Sequence, residues 1–304
     1  MPYQLLDCFD QSIRKSGQAL LFYDNQLILL QSDGNTLSQA ADKGDVFVAQ
    51  LTDGAVQKAL GFVSPLRRIL VAGQGMLSDI LINALDDEGK THARLHLTTF
   101  LADETEEKIT LATLQAFRGY ESAFVSMKRK IGQLGFREEH EFSNMYGRLI
   151  PDYRTYDPKP AIGISKDELA FQAANDIIKT YLEVARLNEP GIIADLDTEF
   201  LHDYRVSLRK IRSVISLFKG VYSDQQTATL KQAFSDLMSP TGRLRDLDVY
   251  LLDRDSYFRL LPDSLHDGLS IMFGVLENER HEQLGILSTH LKDPAYDETM
   301  NSLN

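Results

Sequence analysis

The chain has 304 residues, with 44 aspartates and glutamates against 32 lysines and arginines, and a formal net charge of -12 at neutral pH. Hydrophobic residues make up 43% and charged residues 25%, which suits a folded protein long enough for two domains of ordinary size. The acidic balance argues against a general nucleic-acid coat, which needs a basic domain, and no apolar run approaches the roughly 20 residues that cross a bilayer.

The opening MPYQLLDCFDQ lacks the basic and apolar regions of a signal peptide. Cys8 is the only cysteine, so there is no internal disulfide and no zinc-type spacing. Both features lead to an expectation of a cytoplasmic protein. Two apolar runs joined by Asp24 and Asn25 in QALLFYDNQLILLQ (18–31) predict a β-hairpin. DVFVAQL (45–51), RRILVAG (67–73) and KITLATL (108–114) read as further strands, and residues 79–101 as a second hairpin around the turn DDEGK. The period then changes: Phe124, Met127, Ile131 and Leu134 recur at helical spacing in 120–135. An antiparallel sheet closed off by a helix is therefore expected over 1–150. The acid-rich stretches 86–89 and 103–108 fall at turns and read as solvated loops.

Three prolines and no periodicity mark 149–165 as a break, with the linker placed at 151–165. Beyond it, 166–304 reads as helical almost throughout. An amphipathic helix over 166–187 is expected to end at Asn188-Glu189-Pro190-Gly191. A second follows over 196–219 and a third over 225–238. Ser239 and Pro240 look like an N-cap and first-turn proline for a fourth, TGRLRDLDVYLL, and a fifth covers 263–287. Short connections favour an antiparallel bundle, and the chain as a whole is α+β.

The second of these helices carries an unusual density of cations for an acidic chain. At about 100° per residue, Tyr204, Leu208, Ile211, Ile215 and Phe218 form one apolar stripe. His202, Arg205, Arg209 and Arg212 form another, and Lys219 continues it further on; Lys210 lies off it. Glu199 near the start and Lys219 near the end suit the helix dipole, and Gly220 suits a position just past the end. Like charges at this spacing repel by a few tenths of a kcal/mol each, about the size of a surface ion pair. Such a stripe is commonly a solvated face, or one paired with acids of the next helix. The other reading is a bound polyanion, because arginine forks match phosphate oxygens and stay charged, and a histidine adds a charge or a hydrogen bond. Asp246 and Asp248 point about 200° apart on a helix, so they are read as i,i+3 partners of Arg243 and Arg245, not as a metal pair. His92 and His96 share one face of a strand without a carboxylate spacing, and His266, His281 and His290 have no obvious companions; all five read as surface or structural. No nucleophile–base pair, phosphate loop or dinucleotide fingerprint appears.

LHDYRVSLRKIRSVISLF (201–218) followed by GRLRDLDVYLL (242–252) resembles the CHAD domain, the conserved-histidine α-helical domain. The matching positions are His202, Arg205, Val206, Arg209, Lys210, Ile211 and Arg212, then Arg245, Asp246, Asp248 and Val249. The resemblance implies a helical bundle with a cationic channel for inorganic polyphosphate. The residues it implicates are His202, Arg205, Arg209 and Arg212, joined by Lys210, Lys219 and Arg245. Family members commonly carry a second helical half with its own basic helix. Here about 50 residues follow DVYLL without a second arginine row, so a shortened bundle is expected. Residues 5–22 and 109–135 resemble parts of the CYTH, or triphosphate tunnel, fold that often precedes CHAD. Active tunnels hold metal with an E-x-E-x-K strand, which is missing, and the position expected to read LRxR reads LLFY. A degenerate, barrel-like β domain is expected, with no catalytic residues, metal or cofactor. Polyphosphate is the expected partner, without membrane association; oligomeric state is unread. A metal-dependent inorganic triphosphatase and a protein-interaction scaffold are the alternatives.

Overall fold

A computed structural model describes residues 1–44, 46–103, 107–138, 141–150 and 155–303. The chain divides into two compact units, Met1–Tyr156 and Asp157–Asn304.

In the first unit the order is β1 (Pro2–Cys8), α1 (Ser12–Lys15), β2 (Ala19–Tyr23), β3 (Gln26–Leu30), β4 (Thr36–Ala40), α2 (Ala55–Ala59), β5 (Ile69–Leu85), β6 (Thr91–Ala102), β7 (Lys108–Ala116), α3 (Glu121–Gln133) and α4 (Ser143–Leu149). The described strands form one antiparallel sheet, curled into a half-barrel, in the order β4-β3-β2-β1-β5-β6-β7. Both expected hairpins are present. The turn between β2 and β3 is Asp24-Asn25, with φ of 49° and 54°, the left-handed pair that suits a two-residue hairpin. Strands β5 and β6 pair from Gly75–Ala102 to Leu85–Thr91, across the turn at 86–90.

Alternation along the strands feeds two cores. Tyr3, Leu5, Leu21, Leu77 and Phe100 pack with Met145, Tyr146 and Leu149 of α4. Leu6, Leu20, Leu27, Leu29 and Ile69 pack on the opposite face with Val48, Val56 and Leu60. Tyr146 pins α4 to the sheet: its hydroxyl donates to Leu6 O at 2.7 Å and accepts from Leu20 N at 3.4 Å. Helix α3 packs on β6 and β7, the closing role expected of it, although Leu134 falls past its end and is exposed. Cys8 is buried in the second core, and burial pushes its thiol up to about 12.

One strand expectation fails. In 45–51, Asp45 lies outside the described residues, Phe47 makes only an isolated bridge to Arg68, and Val48–Gln50 is a turn of 3-10 helix. Val48 is buried against the sheet face instead of joining a ladder. Within the acid-rich turn 103–108, residues 104–106 lie outside the described residues, as do 151–154 of the expected linker.

The second unit consists of α5 (Ala170–Ile193), α6 (Thr198–Leu217), α7 (Asp224–Met238), α8 (Gly242–Leu252), α9 (Arg254–Leu260), α10 (His266–Leu291) and α11 (Pro294–Ser302). Helix α5 runs through the expected stop, with Pro190 inside it. The missing N–H is tolerated in its last turn because packing holds the helix. Gly191 lies against α6 so closely that a Cβ there would sit 2.1 Å from the Phe200 ring, and Asn188 Nδ2 donates to Val184 O at 2.8 Å. Ser239 is likewise not an N-cap: it has helical φ and ψ at the end of α7, and Ser239–Thr241 form a 3-10 turn leading into α8. Helix α7 does carry a capping box, Ser223 with Gln226. Helices α9 and α11 were not expected; α11 begins with an Asp293 cap on Ala295 N and Pro294 in its first turn. No helix among the described residues is long and apolar enough to cross a membrane.

Candidate functional site

Helix α6 organises the second unit. Asp197 caps it by accepting from Glu199 N and Phe200 N, and acidic Glu199 sits in the first turn, where the dipole favours it. The apolar stripe is the buried side: Tyr204, Leu208 and Ile211 are fully buried and Ile215 nearly so, against α5, α7 and α8. This fixes the rotation of the helix and leaves the cationic stripe outward. His202 and Arg205 are half-buried, while Arg209 and Arg212 are exposed.

Helix α8 brings Arg245 to the same place. Its Nη1 donates to Thr198 O at 3.4 Å and its Nη2 to His202 Nδ1 at 3.2 Å. A guanidinium has no acceptor, so Nδ1 of His202 must be the unprotonated nitrogen and Nε2 carries the proton. The histidine therefore enters the cluster as a neutral donor and not as a further charge. Arg205 Nη1 donates to Thr241 Oγ1, and Arg212 Nη1 lies 3.7 Å from Met238 Sδ. Burial holds the Arg205 guanidinium below the usual arginine range; Asp246 acts against this, and Arg209 and Arg245 add to it. Positive groups are thus crowded and partly desolvated. Among the described residues, none of His202, Arg205, Arg209, Arg212 or Arg245 is ion-paired with a carboxylate.

Of two further sequence candidates, Lys210 turns another way and Lys219 lies past the helix end. Lys210 turns toward α5, where its Nζ is 3.0 Å from Tyr181 Oη and 4.2 Å from the ring centroid, and it reaches Pro158 O at 3.5 Å. Lys219 lies beyond the last helical residue, so helical phase no longer places it on the stripe; Gly220 follows with φ of 79°.

The expected pairing of α8 arginines with α8 aspartates is not what forms. Arg243 makes a two-pronged bridge to Glu279 of α10, with both contacts at 2.6 Å. Asp248 is buried and accepts from Arg280 Nε at 2.7 Å. The same Arg280 grips both oxygens of Asp195, at 2.7 and 2.9 Å, and these hydrogen bonds hold its guanidinium above the ordinary arginine range. Partners on α10 lie 32 to 36 residues along the chain, a separation that i,i+3 reasoning cannot see. Diverting Asp248 to Arg280 leaves Arg245 free to reach His202.

On the sheet, His92 and His96 each meet an aspartate: His92 Nε2 with Asp86 at 2.9 Å and His96 Nε2 with Asp79 at 3.1 Å. His92 also stacks on Tyr120 at 3.8 Å. His266 Nε2 lies 2.9 Å from Phe258 O and 3.0 Å from Leu261 O, tying the end of α9 to α10. Among the described residues no three His, Cys, Asp or Glu side chains are grouped to hold a metal ion.

Residues 176–304 match the CHAD domain family. No CYTH family match accompanies the half-barrel of the first unit. No curated protein matches the chain. The second unit carries a CHAD domain, whose family is associated with polyphosphate-related proteins.

Proposed function

We propose that the chain binds inorganic polyphosphate on the outward face of α6 and the adjoining start of α8. Arg205, Arg209, Arg212 and Arg245 supply charge-assisted hydrogen bonds to phosphoryl oxygens, and His202 adds a neutral N–H from Nε2. The supporting observation is that, among the described residues, none of these four guanidinium groups forms an ion pair with a carboxylate, with Asp246 and Asp248 acting on Arg205 and Arg245 only at longer range, although the chain has an excess of acids. Repulsion within the cluster, and the loss of hydration at Arg205, are both relieved by an incoming anion. Electrostatic capture on a preformed surface requires no bond-making step. Lys210 and Lys219 are not part of the proposed contact set.

The test is retention of long-chain inorganic polyphosphate by the full chain as salt is raised, with Arg205 and Arg209 both changed to Ala. Two lost phosphate contacts should weaken binding at least about tenfold and make the dependence of log affinity on log salt shallower by about 2. Unchanged retention by this variant, with its helical circular dichroism intact, sinks the assignment.

A further inference from the structure

Arg205 is held by a residue that no charge pattern marks. Thr241 is fully buried, at the last position of the 3-10 turn between α7 and α8. Its hydroxyl donates its one proton to Met238 O at 2.6 Å. The oxygen is thereby fixed in direction and left as an acceptor, and Arg205 Nη1 donates to it. One corner of the guanidinium is therefore tethered, beside Gly242, where even an added Cβ would stay 4.0 Å from Arg205 Nη1. Four of the five guanidinium donors remain for another partner.

A long side chain ordinarily loses rotamer freedom when it grips a ligand, and a side chain already ordered loses less. We propose that Thr241 is a positioning residue of the anion site: it pre-orders Arg205 and aims the rest of its fork outward, so that affinity for polyphosphate depends on a hydroxyl that never touches it. This rests on the assignment of Arg205 as a phosphate contact.

Thr241→Val keeps the shape and removes both hydrogen bonds; Thr241→Ser keeps both. With long-chain inorganic polyphosphate as probe and the full chain in each case, Thr241→Val should bind several-fold, up to about tenfold, more weakly, the size expected for ordering one long side chain on binding. Thr241→Ser should bind like the parent. In an Arg205→Ala background, Thr241→Val should weaken binding no further. The proposal is overturned if Thr241→Val lowers the melting temperature but leaves affinity unchanged, or if it weakens binding equally with and without Arg205. Parent-like binding by Arg205→Ala would remove Arg205 from the site altogether. Weak binding by Arg205→Ala combined with parent-like binding by Thr241→Val would remove only the positioning role.

Discussion

At the scale of single residues, the clearest titratable cluster outside the cationic site joins α5, α6 and α11. The Tyr204 and Tyr296 hydroxyls lie 3.1 Å apart, and Tyr296 donates to Glu189 Oε1 at 2.6 Å. Burial drives the Tyr296 hydroxyl well above its usual range, so it stays a donor, and burial also raises Glu189 despite opposing effects of Tyr296 and Arg186. A carboxyl whose folded pKa is raised binds its proton more tightly in the folded chain than in the unfolded one. Its contribution to stability is therefore greatest at low pH and declines as pH rises through the raised value. Glu189→Gln retains an acceptor for Tyr296 without the charge. Melting temperatures of the two chains between about pH 4 and about pH 8 should show the parent losing ground to the variant as pH rises; a constant gap would contradict this. Residues of this kind were the least legible in the sequence. His202 was found because it lies on a helical stripe, but its tautomer depends on Arg245, 43 residues away, and Thr241 sits in a turn where periodicity carries no signal.

Elements were more legible where a local rule acts alone. The Asp24-Asn25 turn and the stripes of α6 each follow from chain-neighbour chemistry. Expectations failed where tertiary packing overrode such a rule. Pro190 and Gly191 signal a helix end, yet they lie inside α5 because the α5–α6 contact needs the bare Gly191 surface. Gly191→Ala tests that reading with two opposed effects. Alanine favours helix by about 1 kcal/mol, but its Cβ would meet the Phe200 ring at 2.1 Å, and overpacking typically costs about 1–3 kcal/mol. The clash should win because the obstacle is a buried ring locked against α5. A melting temperature lower by several degrees is expected, at about 2–4 °C per kcal/mol. An increase would mean that Phe200 yields easily. The signals for α11, Asp293 and Pro294, are present in the sequence and simply mark a short helix after a long one.

At the scale of the whole molecule, the contrast is between a local cationic surface and a chain of net charge -12. Long-range repulsion of a polyanion is screened within about 8 Å at physiological salt, whereas contacts at the cluster are not. If the proposed site binds polyphosphate, attraction would be confined to close approach, which would favour one seated anion over diffuse coating. The half-barrel contributes differently. Its only thiol, Cys8, lies in the core between the sheet and α2, with 1% exposure, and the thiolate form that reacts is suppressed by burial. An alkylating reagent such as iodoacetamide should consequently modify Cys8 only when that core opens, at a rate that levels off with reagent concentration. The chain carries a built-in clock for the opening of its β unit, one that reports on the core between the sheet and α2.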